Sequence, residues 1–203
     1  VVGGWYDDAL FTRAPKRLVG SVQLLYAGKL NRSKGVPWLL RSLMKLTDRD
    51  WHLHMAGSGS GPEYAECVDL ARQLGNRVTL HGYVSHGQLA SLMKQAHIQV
   101  LPSFFEGLPL VVLEALACGR PVVSTPVGAM ADRLRKARAV RVTPRMSPQS
   151  LAGEIQSLLA GEAPPAAVEI RESALEYSWS RVADAILREL NDRVASGRLR
   201  ENR

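Results

Sequence analysis

Three loops hold the residue types that could do chemistry. Residues 28–35, GKLNRSKG, place Lys29, Arg32 and Lys34 between two glycines. Cations on a loop that leads into a helix suit a phosphate, because backbone amides and the helix dipole face the same anion. The spacing is not that of a P-loop, and a solvated basic turn is an equal alternative on position alone. Residues 57–61, GSGSG, permit positive φ and close backbone approach. Pro62 breaks a Gly-x-Gly-x-x-Gly fingerprint, so a turn without a ligand explains this segment as well. Residues 102–119, PSFFEGLPLVVLEALACG, are the most informative. Glu106 stands at the entrance of an apolar helix and Glu114 lies inside it, about two turns further on a similar azimuth. A carboxylate among Val111, Val112, Leu113, Ala115 and Leu116 is costly to bury without donors, and sugar hydroxyls are suitable donors. The amides of Gly107, Leu108 and Leu110 are the free donors of a helix N-terminus, which Pro109 cannot join. The plain alternative is that Glu106 caps the helix and Glu114 pairs with an arginine.

The elements that must position these loops alternate in type. Short β-rich runs fall at 22–27, 51–56, 77–80, 97–101 and 121–124. Amphipathic runs predict helices at 37–46, 62–74, 85–95, 108–118, 147–159 and 180–195, with Ser85 as an N-cap. A weaker repeat of the rhythm covers 129–142, and a proline-containing break falls at 163–166. This alternation predicts an α/β fold: a Rossmann-like, doubly wound parallel sheet with helices on both faces and right-handed crossovers. Ligands of such sheets bind outside the carboxyl ends of the strands. That selects loops 28–35, 57–61, 82–85, 102–108 and 124–129.

Composition removes several classes. The 203 residues include 26 Lys+Arg and 19 Asp+Glu, for a net charge of +7. A hydrophobic fraction of 46% excludes a disordered chain. The 2 cysteines cannot form a disulfide framework or a structural zinc site, so a reducing, intracellular setting is the default. Cys118 ends the motif helix as a core residue, and Cys67 falls on a surface helix. The five histidines, His52, His54, His81, His86 and His97, are not spaced like a metal site, although His52 and His54 share one face of a strand. No apolar run reaches the ~18 residues of a membrane span, and no secretory signal is recognisable. The basic excess points to polyanions. Without a reading helix, zinc finger or stacking motif, nucleic acid is not an expected partner.

Over nearly its whole length the chain resembles the C-terminal, donor-binding domain of a family 4 retaining glycosyltransferase of the GT-B fold. The most specific match is Glu-x7-Glu, at Glu106 and Glu114 within PSFFEGLPLVVLEALACGRPVVST. Gly28, Lys29, Leu30, Lys34 and Gly35 match in part a Gly-Arg-Leu-x-x-x-Lys-Gly loop. AGSGSGP, VTLHGYVS, IQVLPS and a Ser-Trp-Ser agree in order.

The resemblance implies transfer of a hexose from a nucleoside-diphosphate sugar, a UDP- or GDP-sugar, in bacterial polysaccharide or glycoconjugate biosynthesis. It implies catalytic roles for Lys34, Glu106 and Lys29. Lys34 would face the leaving diphosphate, with Lys29 beside it where the family has Arg. Glu106 would lie near the transferred sugar. Glu114 would accept ribose hydroxyls, the amides of Gly107 and Leu108 would approach the phosphates, and Tyr83 and Val84 would line the base pocket. Gly28, Gly57 and Ser103 complete the donor-binding set. No metal and no cofactor is implied, the cations standing in for Mg²⁺.

By the same resemblance residues 1–17 form a linker from an N-terminal domain, 18–196 the nucleotide-sugar-binding domain and 197–203 a polar tail. The first residue, Val, fits a chain cut from a longer protein. The N-terminal domain is then the main partner, and the isolated domain is expected to be inactive alone. A cytoplasmic location is implied. Arg133, Arg135, Lys136, Arg138, Arg141 and Arg145, with no acid among 133–145, are a candidate contact with an anionic membrane at its inner face; a solvated surface weighs more. Two departures stand out: Lys29 lacks the planar fork of Arg, and VGAMAD at 127–132 lacks the family's Gly-Gly and following Glu. The rival readings are a degenerate, non-catalytic nucleotide-sugar-binding module and a GT-B-like sugar-nucleotide epimerase.

Overall fold

Six strands form one sheet in the computed structural model, which describes residues 4–13, 20–128, 139–160 and 166–196. They are β1 (Val22–Ala27), β2 (Trp51–Ala56), β3 (Val78–Gly82), β4 (Ile98–Leu101), β5 (Val122–Ser124) and β6 (Val140–Val142). Their order is β3-β2-β1-β4-β5-β6, and every neighbouring pair is parallel. The helices are α1 (Val36–Leu43), α2 (Gly61–Gln73), α3 (His86–Gln95), α4 (Leu110–Ala117), α5 (Pro148–Leu159), α6 (Ala167–Glu172) and α7 (Trp179–Ala195).

Strand alternation divides the core into two. Leu24, Tyr26, Leu53, Met55 and Val100 pack with α1, α2 and α5. Leu25, Ala56, Leu101 and Val122 pack on the other face with residues of α3, α4 and α6. The sheet is therefore covered on both sides, as the sequence rhythm predicts. The strand order reverses its direction of growth between β1 and β4, which places a ligand crevice at the carboxyl ends of these strands.

Several expectations are corrected. The motif helix begins at Leu110 rather than 108, with Pro109 as its N-cap. Proline disfavours helical backbone at the residue before it, so Leu108 stays outside the helix. A helix at Ala167–Glu172 follows the proline-containing break, too short to show a period. Cys67 is buried, at 1% exposure, because its face of α2 packs into the core. Burial pushes its thiol up to about 11. Cys118 is buried as expected.

Residues 4–13 are stitched to the start of α7. The Tyr6 amide donates to the Tyr177 carbonyl at 3.0 Å, and the Trp179 amide donates to the Tyr6 carbonyl at 2.9 Å. Tyr6 and Phe11 are each 1% exposed and belong to the core. Arg133, Arg135, Lys136, Arg138 and the segment 197–203 lie outside the described residues. Arg141 faces Glu154 at 3.8 Å, and Arg145 is exposed. No described helix is long and apolar enough to cross a membrane.

Candidate active site

Local chemistry shapes loop 28–35 first. The Asn31 side-chain oxygen accepts from the Lys34 amide at 2.9 Å and from the Ser33 hydroxyl at 3.1 Å. Such side-chain-to-backbone bonds make a tight turn without a helix or strand. Tyr26 Oη donates to the Lys29 carbonyl at 2.7 Å, fixing the start of the loop. The turn then meets the acidic loop, where the Phe104 amide donates to the Ser33 carbonyl at 3.0 Å. Gly35 makes this approach possible. Its φ is +68°, and a Cβ there would stand 1.8 Å from the Pro102 carbonyl oxygen.

The result is a three-residue polar cluster. Lys34 Nζ lies 2.7 Å from Glu106 Oε1, and Ser103 Oγ donates to the same oxygen at 2.8 Å. Thr125 Oγ1 donates to the Ser103 carbonyl beneath it. Gly128 closes the far side: a Cβ at this residue would stand 2.0 Å from the Glu106 carbonyl oxygen, and its φ is +56°. Glu106 thus neither caps α4 nor shares an azimuth with Glu114. It precedes the helix and turns back to the lysine.

Beside this cluster lies a cavity of about 570 Å³ at the carboxyl ends of β1, β2 and β3. Gly28 and Lys29 line it after β1, residues 57–60 after β2, and Tyr83 and Val84 after β3. His86 and Leu89 from α3 and Val111 from α4 complete the wall. Tyr83 is 86% exposed, so its ring is open to a stacking partner. Lys29 is exposed and forms no ion pair among the described residues. α3 is presented by the expected Ser85 cap: the Gln88 amide donates to Ser85 Oγ at 3.3 Å and the Ser85 amide to Gln88 Oε1 at 2.8 Å.

Glu114 sits one turn beyond Val111 on α4, 7% exposed. Burial pushes its carboxyl up to about 7, opposed by the charge of His86. A carboxyl whose folded pKa exceeds its unfolded value keeps its proton in the native state while the unfolded chain releases it. Native stability therefore falls as pH rises from 4.5 to about 7. Glu114→Gln removes that penalty. The variant should be more stable than the parent at pH 8 by on the order of 3 kcal/mol and nearly equal to it at pH 4. Denaturant unfolding at the two pH values checks this, and an equal difference at both would contradict it.

Residues 21–161 match the family described as glycosyl transferases group 1. The chain belongs to this family. It is 31% identical over 186 residues to an uncharacterized glycosyltransferase of Methanocaldococcus jannaschii, covering 88% of this chain and 47% of that protein. Among solved structures, a sucrose-phosphate synthase from Thermosynechococcus elongatus superposes with a TM-score of 0.80 at 24% identity, over 96% of this chain and 52% of that one. The C-terminal domain of a glycosyl transferase group 1 family protein from Francisella tularensis superposes with a TM-score of 0.67 at 18% identity, over 88% of this chain and 97% of that one. The fold is that of its GT-B glycosyltransferase neighbours. This chain spans about half the length of the first relatives it matches, 47% and 52%.

In this glycosyl transferase domain the sequence-selected residues fall into connected groups. Gly28, Lys29, Gly57, Tyr83 and Val84 share one cavity. Lys34, Ser103 and Glu106 form the adjoining cluster, and Gly107 reaches it through Gly128. Leu108 precedes the N-cap Pro109, and its side chain lies against Gly4. His86, Leu89, Val111 and Asn31 are additions that the sequence reading missed. Only His86 had a visible signal, as the residue after the Ser85 cap. Among the described residues no group of three or more His, Cys, Asp or Glu could hold a metal ion.

Proposed function

We propose that this chain is the donor-binding half of a retaining glycosyltransferase that takes a hexose from a nucleoside-diphosphate sugar. The observation that carries this is the placement of a nucleotide-sized cavity against a lysine–carboxylate cluster at the sheet's carboxyl edge. The base and ribose occupy the cavity, with Tyr83 stacking and Val84 as floor. Glu114, beneath Val111, accepts the ribose hydroxyls. A buried carboxyl without donors is costly, and hydroxyls supply the missing hydrogen bonds.

The diphosphate lies between Lys29 and Lys34, beside the backbone of Gly28, Gly57 and Gly107. As the glycosidic bond to the diphosphate breaks, negative charge grows on the leaving oxygen. A cation held in place beforehand stabilises that charge without reorganisation. Glu106 and Ser103 hold Lys34 in place until the diphosphate competes for it. Glu106 is then free to accept hydroxyls of the hexose. No cofactor takes part, and the lysines serve in place of a metal.

The chain matches about half the length of its relatives, which leaves the other half for the acceptor and the rest of the reaction centre. That supports a donor-binding role, with transfer requiring both halves. The extent of the Francisella C-terminal domain, nearly all of which is matched, supports the same division. The test is donor turnover. A two-domain protein that carries this chain should release nucleoside diphosphate from its donor, and the 203-residue chain should bind donor with turnover at least a hundredfold slower. Binding without turnover in both would favour the non-catalytic module, and C2-inverted nucleotide-sugar as product would favour the epimerase.

A further inference from the structure

The proposed nucleotide site leaves one cluster unused. On the sheet face that carries Leu25 and Ala56, β2 bears His52 and His54 and β3 bears Thr79 and His81. Their rings stand in a row, with centroids 4.8 Å apart for His52–His54 and 5.2 Å for His54–His81. His52 Nε2 meets Thr79 Oγ1 at 2.8 Å. His54 Nε2 meets Gln23 Oε1 at 2.9 Å, and His54 Nδ1 meets His81 Nε2 at 3.0 Å.

The protons in this row can be assigned. The Ser21 carbonyl only accepts, and Gln23 Nε2 donates to it at 2.9 Å and to Ser21 Oγ at 2.8 Å. Gln23 Oε1 must therefore face His54, so His54 Nε2 carries the hydrogen. In the neutral ring Nδ1 is then bare, and His81 Nε2 donates to it. With both rings protonated, two N–H groups would face each other and neither could accept. Burial lowers the pKa of His54 most, followed by the charges of His52 and His81; burial and then His52 lower that of His81. The other titratable or charged groups brought to this face are His97, whose Nδ1 accepts from the Gln23 amide at 2.9 Å, and His86 and Lys94 on α3, with Glu114 on α4. None of the charges acting on His54 or His81 is a carboxylate.

The pair stands where β2 and β3 hand over to the cavity. Their register shifts between Met55 and Ala56, one residue beyond His54. One backbone bond follows, from the Gly57 amide to the Gly82 carbonyl at 2.7 Å. Residues 57–60 and 83–84 then form two walls of the cavity. We propose that the His54–His81 pair is a pH-sensitive clamp on this cavity: neutral, it holds β2 against β3 and keeps the two walls together; charged, it parts them and weakens nucleotide binding. The regulation rests on the nucleotide reading of the cavity. The sign follows from the lowered pKa values. The clamp is fully formed above the unfolded value of 6.5 and is lost as pH falls through the lower folded values.

Calorimetric titration of UDP and GDP between pH 7.5 and 5.5 tests the effect on binding. Whichever diphosphate binds should lose about tenfold in affinity over this range, an ordinary size for coupling between two sites. The loss should fall below twofold in His54→Gln/His81→Gln. If the double variant fails to fold, His81→Gln, whose amide can donate in place of Nε2, should hold the loss below threefold. An unchanged loss in the histidine variants, or no loss in the parent, overturns the clamp. Nitrogen-15 spectra of the free protein read the clamp without ligand: His54 should be the Nε2–H tautomer at pH 7.5, and the amides of 57–60 and 83–84 should shift with its titration. Loop amides that ignore His54 overturn the clamp even if no nucleotide binds. Absence of UDP and GDP binding with coupled shifts overturns the nucleotide reading alone.

Discussion

Lys34→Ala should weaken a nucleoside diphosphate by about 10- to 100-fold, the value of one hydrogen bond to a charged group. The same change should leave the nucleoside within about twofold, because in the proposed site only the phosphates face this side chain. In a two-domain protein that carries this chain, turnover should fall by about 10²–10³, as when one preorganised donor to a developing anion is removed. Calorimetry with the nucleoside and its diphosphate separates the two effects. Equal losses for both would mean that Lys34 supports the cavity rather than the phosphates. Stability should change little. The Lys34–Glu106 pair is partly exposed, with side-chain exposures of 34% and 14%, and ion pairs of this kind are worth about 0–1 kcal/mol. A large drop in Tm would show that the lysine is structural.

Gly35→Ala should be the most damaging single methyl group in the site. The residue has φ +68°, and its Cβ would fall 1.8 Å from the Pro102 carbonyl oxygen. Neither the strained backbone nor that clash is relieved by turning a side chain, since the obstacle is main chain. We expect a loss of about 3 kcal/mol or more, near 6–12 °C in Tm for a domain of this size. The loop must also move away from 102–106, which draws Lys34 from Glu106. Diphosphate affinity should therefore fall with stability. A variant with parental Tm and affinity would show that loops 28–35 and 102–106 do not need this close approach.

The legible parts of the fold were those with short-range causes. β2 was read residue for residue because Trp51, Leu53 and Met55 alternate with half-buried partners. The Ser85 cap was read from its residue type, and the loop positions followed from the α/β rhythm. The missed parts depend on distant residues. The partners in the Lys34–Glu106 pair are 72 positions apart, and no local pattern announces that loop 28–35 turns onto loop 102–106. His54 meets His81 only through the parallel register of β2 on β3. The spacing of Glu106 and Glu114 was visible, yet the helical reading of it was wrong. Pro109 keeps the first four residues of that interval out of α4 and allows Glu106 to face the lysine. The burial of Cys67 was not legible because α2 is only weakly amphipathic in sequence, so its buried face was hard to choose.

The central claim is that the cavity and the lysine cluster together hold a nucleoside-diphosphate sugar. Thermal denaturation of the chain with UDP-, GDP-, ADP- and TDP-sugars tests it most directly. At a donor concentration of about 100 Kd the bound state gains about 2.7 kcal/mol, which corresponds to roughly 5–10 °C. The account predicts a shift of this size for at least one of the four sugars, and its fall to about half or less in Lys34→Ala at the same concentration. No shift with any of them, or a shift that Lys34→Ala leaves intact, would contradict it.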